Sequence, residues 1–432
     1  MSGKRFLPLL LLLAGACGYR APMYKTVITE DPAQFTSIHE DYRELAALIT
    51  TDTGMPPTDS NTLCILPDHQ VKWETLIHDL ESAEESVYID HYRFRQDSCG
   101  TIIAGILKEK RAKGADVRVI VDKAAHIKED KVILESFNKD SIDTRLFYKP
   151  SWLQDFIWPP KAPHRDHRKI VLIDGQTGYV GGRNIQDKYY LGWRDADMRI
   201  NGPAVKDLGE AYMNTQRLAA PELPPLKITD ESALKAVTDS VPGVDMFRGK
   251  TVQIIPESPW DKRLPIRNCF EWAINHAREY FYFYNPYTPP PASTIKALKA
   301  AAARGVDVRW IVPANNDVVP AKWIGESLYK ELLKAGVRIF EWQDNVLHTK
   351  EFISDDQILA IGSANMDNMS FFLNLEVEAV VYDSEVAADA RRLYLEETRT
   401  RCLEITLDEV QRWNIFRRLR NHIARFAVGS LT

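Results

Sequence analysis

The stretch Arg165-Asp166-His167-Arg168-Lys169-Ile170-Val171-Leu172-Ile173-Asp174, followed by Gly181-Gly182-Arg183-Asn184, decides how the whole chain is read. Counted from His167, a lysine falls at +2 (Lys169), an aspartate at +7 (Asp174), a glycine at +14 (Gly181), an asparagine at +17 (Asn184) and a carboxylate at +28 (Asp195). From His348 the same offsets give Lys350, Asp355, Gly362, Asn365 and Glu376. The chain has only 10 histidines, and each match costs about one in twenty on average residue usage. Chance does not produce that register, so the unit is duplicated.

The duplication reaches upstream of the motifs. Apolar spacing predicts a helix over 71–82, a strand over 86–90, a helix over 102–112 closed by Gly114, and a buried strand over 117–121. The second half repeats the order with a helix over 266–279, a strand over 280–285, a helix over 293–304 capped by Ser293 or Thr294, and a strand over 306–312. Such β-α-β patterning predicts an α/β protein with two similar lobes, each a mixed, mostly parallel sheet flanked by helices, related by a pseudo-two-fold axis. The first lobe is expected over 61–218 and the second over 251–385. A proline- and charge-rich linker over 219–250 joins them, a spacer with one short helix (40–49) fills 18–60, and helices occupy 386–432.

Composition narrows the class. At 432 residues, two domains of ordinary size each have room for a core. A net charge of −5 argues against holding polyanions through the overall field. Cys64, Cys99, Cys269 and Cys402 are scattered with no C-x-x-C pair, which makes a zinc site improbable. Lys4 and Arg5 precede the apolar run Phe6 to Leu13, too short to span a bilayer and suited to a secretory signal over 1–17. Leu13-Ala14-Gly15-Ala16-Cys17 is similar to a bacterial lipobox, so export to the cell envelope with lipidation of Cys17 is expected, beside simple secretion or an uncleaved anchor.

Two further stretches carry lipid-facing expectations. Residues 147–160 (Phe147-Tyr148-Lys149-Pro150-Ser151-Trp152 onward to Pro160) are rich in aromatics and lead into the first motif, as a loop that admits acyl chains or packs between lobes. Residues 412–428 carry Arg412, Arg417, Arg418, Arg420 and Arg425 with no acid, and Ile415, Leu419, Ile423 and Phe426 recur at helical spacing. That helix is expected to pack its apolar stripe on the second lobe with the arginines in water; the alternative lays it on an anionic membrane.

The paired motifs contain what a phosphodiester reaction needs. Histidine and lysine two apart on a strand share a face, while Arg168 or Thr349 between them points away. Lys169, Lys350, Asn184 and Asn365 supply donors for phosphoryl oxygens. One neutral imidazole can attack phosphorus while a protonated one gives its proton to the departing alcohol, provided their surroundings push the two apparent pKa values apart. Asp195 and Glu376 are placed to orient the rings, and Asp174 and Asp355 close the strands. No cofactor or metal is called for. His39, His69, His78, His91, His126, His276 and His422 have no such partner pattern.

On these residues the chain resembles the phospholipase D superfamily, whose signature H-x-K-x4-D followed by G-[GS]-x-N occurs twice from about residue 61 to 385. Trp193-Arg194-Asp195, Asn285-Pro286-Tyr287 and Ser370-Phe371-Phe372-Leu373-Asn374-Leu375-Glu376 look most like the bacterial cardiolipin synthases. The resemblance implies a site at the lobe interface, a covalent phosphatidyl-histidine and transfer of phosphatidyl between two phosphatidylglycerols with release of glycerol. It also implies His167 as nucleophile and His348 as general acid, an assignment that can be exchanged. Asp197 stands where that group usually has histidine, Asn285 where it has threonine, and its paired N-terminal membrane helices are missing. The alternatives are a phospholipase that uses water, an exported nuclease, which the acidic net charge and aromatic approach disfavour, and a non-catalytic lipid binder. Phospholipid and an anionic membrane surface are the expected partners, nucleic acid is not, and a monomer is expected.

Overall fold

The computed structural model describes residues 26–125, 131–147, 164–228, 241, 244–287 and 289–429. The signal and lipobox, the Tyr148 to Pro160 part of the aromatic stretch and much of the linker lie outside the described residues. In the first lobe the strands are β1 (Thr58–Leu66), β2 (Ser86–His91), β3 (Asp116–Asp122), β4 (Asp143–Phe147), the two-residue β5 (Arg165–Asp166), β6 (Lys169–Ile173), β7 (Thr177–Gly181) and β8 (Asp197–Asn201). The second has β9 (Phe247–Glu257), β10 (Tyr280–Tyr284), β11 (Asp307–Pro313), β12 (Arg338–Trp342), β13 (Glu351–Ser354), β14 (Ile358–Gly362), β15 (Asn374–Tyr382) and β16 (Cys402–Ile405).

The lobes repeat one strand order. The first runs β1-β8-β7-β6-β2-β3-β4 and the second β9-β15-β14-β13-β10-β11-β12, with β16 added at the outer edge. β1 also pairs antiparallel with β9 (Asn61 opposite Lys250, Leu63 opposite Phe247), so both lobes share one continuous sheet. Strands such as β2 and β10 are buried along their whole length because helices cover both faces, which is why they read as apolar runs. The helices Ser98–Ala112 and Ala292–Ala303 make the equivalent crossovers from β2 to β3 and from β10 to β11.

Five expectations need correction. The sheet is mixed, but antiparallel pairs outnumber parallel ones: only β2-β3-β4 and β10-β11-β12 are parallel in the main sheet. The motif strands are joined by tight turns instead of helices, and a tight turn can connect only antiparallel neighbours. The helix Arg43–Thr53, expected in a spacer, is part of the second lobe's core: Leu45, Ala46 and Ile49 are fully buried in the cluster that holds Phe270 and Ala273 of the helix Pro265–His276. The helix Ala292–Ala303 begins after Pro291 with no side-chain cap, and strand β16 interrupts the expected C-terminal helices. The terminal helix Ile415–Gly429 packs the opposite way from its expected orientation, through its polar face. Arg417 and Arg420 pair with buried Glu326, at 2.9 and 2.6 Å.

Asp174 and Asp355 hold the fold away from the cleft. Asp174 accepts the backbone N–H groups of Glu84, Glu85 and Ser86 at 2.8–2.9 Å and sits at φ 51°. Asp355 does the same for Arg278, Glu279 and Tyr280 at 2.8–3.0 Å, at φ 52°. Each closes the far end of its motif strand onto the start of the neighbouring strand, roughly 17 Å from the lysine at the other end at about 3.3 Å per residue. Asp174→Ala is expected to cost about 2 kcal/mol in urea unfolding while turnover per folded molecule stays unchanged, since three backbone donors lose their acceptor at the end of the strand away from the cleft.

Candidate active site

The catalytic-type residues gather where the lobes interlock. β5 pairs in parallel with Asn374 and Leu375 of β15, and the His167 N–H donates to the Leu375 carbonyl at 2.9 Å. In the mirror arrangement Arg194 bridges Leu347, and the His348 N–H donates to the Arg194 carbonyl at 2.7 Å. Each histidine is therefore clamped to the segment that carries the other lobe's carboxylate.

That clamp crosses the pairing. His167 Nδ1 lies 2.9 Å from both Glu376 oxygens, and His348 Nδ1 lies 2.7 Å from Asp195 Oδ2. The carboxylate 28 residues after each histidine orients the ring of the opposite lobe, a relation that strand spacing alone does not reveal. With Nδ1 engaged, Nε2 is the nitrogen left for substrate. Two positions next to the carboxylates are adapted to their different lengths. A Cβ on Gly182 would sit 2.2 Å from Asp195 Oδ1, whereas its counterpart Ser363 donates its hydroxyl to Glu376 Oε2 at 2.6 Å. Asn374 Nδ2 adds a bond to Glu376 Oε1 at 3.1 Å.

The surroundings of the two rings differ. His348 is enclosed by Tyr189, Trp193 and Tyr287, with centroids at 5.2, 5.7 and 5.6 Å, and its side chain is only 4% exposed. Among the described residues His167 meets the Tyr92 ring at 5.1 Å, and its side chain is 13% exposed. Burial pushes the His167 pKa down, with Glu376 opposing. Burial, aided by the Lys350 ammonium, pushes His348 well below its ordinary value. Burial also acts on Glu376, but the His167 ring, Lys169 and the Ser363 hydroxyl together outweigh it and hold this carboxyl below its usual range, while burial raises Asp195.

Lys169 and Lys350 each direct Nζ back to the carbonyl of the preceding motif histidine. Lys350 Nζ also lies 3.2 Å from His348 Nε2. Burial lowers Lys169 to about 7, with Lys350 adding to the effect, and burial lowers Lys350 to about 8. An anion entering between them reverses this, because it favours the charged ammonium. Sulfate, a dianion across this range, is therefore expected to bind with proton uptake and to lose roughly tenfold or more in affinity as pH rises from about 6.5 to about 9. Calorimetry in two buffers of different ionisation enthalpy checks the sign.

The asparagines are not equivalent. Asn184 is used internally: Oδ1 accepts the Arg93 N–H at 3.1 Å and Nδ2 donates to the Tyr189 hydroxyl at 3.0 Å, which steadies the ring against His348. Asn365 has a buried Oδ1 with no partner among the described residues, so its amide is the one with capacity left for a ligand. Asp174 and Asp355, grouped with the site by spacing, are outside it. Arg168 does point away, fully buried, donating to the carbonyls of Glu376 and Glu257 at 3.0 and 2.9 Å. Asp197 pairs with Arg183, whose guanidinium also donates to the Asp195 carbonyl at 2.6 Å. Sequence spacing missed Tyr92, Tyr189, Lys188 and Asp317. Tyr287 donates to Asp317 Oδ1 at 2.7 Å, and Lys188 Nζ lies 3.6 Å over the Trp193 ring, so these line the His348 side of the cleft.

Known proteins share the sequence family and the fold. Residues 76–216 and 271–396 match the family described as "Cardiolipin synthase, PLD-like domain". The chain is 30% identical over 366 residues to a cardiolipin synthase of Listeria monocytogenes, spanning 82% of this chain and 73% of that one. It is 29% identical over 393 residues to cardiolipin synthase 2 of Staphylococcus epidermidis, spanning 89% and 77%. Among solved structures, the phosphatidylserine synthase of Haemophilus influenzae superposes with a TM-score of 0.66 at 13% identity, covering 90% of this chain and 99% of that one. The fold is common to both.

Proposed function

The chain belongs to the phospholipase D superfamily, in its cardiolipin-synthase PLD-like family, and from that premise we propose that it transfers phosphatidyl from one phosphatidylglycerol to the hydroxyl of another. The observation that carries the proposal is the crossed pair of histidine–carboxylate contacts, which gives two oriented imidazoles in one cleft. In the first step His167 Nε2 attacks phosphorus, the bond from phosphorus to the glycerol oxygen breaks, and His348 gives that oxygen its proton. In the second step His348 takes the proton of the incoming hydroxyl, whose oxygen displaces His167 from phosphorus. Two phosphatidylglycerols yield one cardiolipin and one glycerol.

Burial pushes both imidazoles toward neutrality, so protonation of the acid depends on the negative charge that substrate brings. The phosphodiester charge offsets Lys350, the ammonium that most disfavours protonated His348 after burial. The His167 side chain is 13% exposed against 4% for His348, which supports His167 as the ring that takes the covalent adduct. Export directed by residues 1–17, with Cys17 as a lipid anchor, would place this chemistry in the cell envelope.

The test is purified protein given phosphatidylglycerol vesicles and, separately, plasmid DNA. Cardiolipin with glycerol is the expected product. Phosphatidic acid instead would assign a hydrolase, nicked plasmid a nuclease, and no product a lipid-binding role.

A further inference from the structure

The helix Ile415–Gly429 is mounted inside out. Its inward side is polar: Asn421 is 2% exposed and donates to Glu326 Oε2 at 2.9 Å, beside Arg417 and Arg420 on the same carboxylate. Its outward side is apolar: Ile415 is 68% exposed, Phe416 79%, Leu419 53%, Ile423 57% and Phe426 69%. At about 100° per residue these five side chains fall within one arc of roughly 100°, a continuous stripe along the helix. A lone exposed leucine needs no explanation, but a stripe of large residues on a helix docked through its polar side does.

The charges around the stripe choose its occupant. Residues 415–429 contain no acid. A hollow of about 550 Å³ beside the helix is lined by Arg418, Arg425, Lys330 and Lys334, with Arg425 3.6 Å from Glu331 and Glu326 already committed to Arg417 and Arg420. Apolar residues rimmed by cations suit a surface that is apolar within and anionic at its boundary. A second copy would bring the same cations against their own kind.

We propose that this face is where the protein lies on an anionic phospholipid bilayer, with the apolar side chains among the acyl chains and the flanking cations at the lipid phosphates. The proposal deepens the phosphatidyl-transfer reading and rests on it for the lipid class. The helix Val319–Lys334, which carries Glu326, begins two residues after Asp317 and so ties the docking face to the cleft wall formed by Tyr287 and Lys188.

The experiment uses the full chain and vesicles of phosphatidylcholine with or without phosphatidylglycerol. Phe416→Trp, read as a difference from the parent protein, is expected to show emission quenched by brominated acyl chains only when phosphatidylglycerol is present. The fourfold variant Phe416→Gln, Leu419→Gln, Ile423→Gln and Phe426→Gln is expected to lose about tenfold or more in vesicle affinity, with turnover of detergent-dispersed phosphatidylglycerol unchanged because none of these side chains lines the cleft. Absence of quenching, or equal vesicle affinity of variant and parent, would overturn the proposal. So would a tryptophan already buried in solution, which would give the face to a second copy or to the Phe6–Leu13 segment. Failure of detergent turnover in the parent protein with quenching retained would sink the transfer reading and leave the docking face standing.

Discussion

His167→Ala is expected to remove turnover of every substrate, whereas His348→Ala removes it only when the leaving group needs a proton. With glycerol departing, each substitution should lower kcat by about 10⁴-fold or more, since each deletes a group that acts in the transition state. With p-nitrophenol as the leaving group, which departs without a proton, His348→Ala should still release product in a single turnover, and His167→Ala should not. The reverse result would exchange the two roles. Both variants should fold. Glu376 keeps Ser363 and Asn374 when His167 is removed, and Asp195 keeps the Ala196 N–H at 2.9 Å and nearby Lys350 when His348 is removed.

The crossed pairing makes a second large prediction. Glu376→Gln should cost roughly 10³–10⁴-fold, as expected when a carboxylate that fixes an imidazole tautomer becomes an amide. Combined with His167→Ala it should add almost nothing, because the carboxylate acts through that ring. Asp195→Asn with His348→Ala should be equally non-additive. The pairs that share a lobe, His167 with Asp195 and His348 with Glu376, should instead show separate effects on separate steps. Asp195→Asn should be rescued by the p-nitrophenol leaving group, and Glu376→Gln should not.

The register of the repeat made the two lobes, their strand and helix order, and the histidines, lysines and carboxylates legible in the chain. It could not show the crossing, because a repeat reports what each copy holds and is silent on how the copies face one another. It misplaced Asp174 and Asp355 for a related reason: they recur for the fold's sake, as acceptors for three backbone donors each. Asn184 and Asn365 share an offset yet differ in use, because Tyr189 engages one and leaves no counterpart on the other. The C-terminal helix was read by the rule that apolar faces turn inward. Buried Glu326, far off in the sequence, pulls the arginine face inward instead.

The reciprocal clamp also bears on how the molecule comes into being. The contacts that orient His167 and His348 join residues 209 and 153 apart, so neither lobe folded alone owns a competent half-site. The covalent link spares the lobes the translational and rotational cost of association, so separate lobes would have to be brought together by concentration. Two separately expressed lobes should therefore be silent apart and active on mixing, with a phosphate ester that touches both acting as the glue.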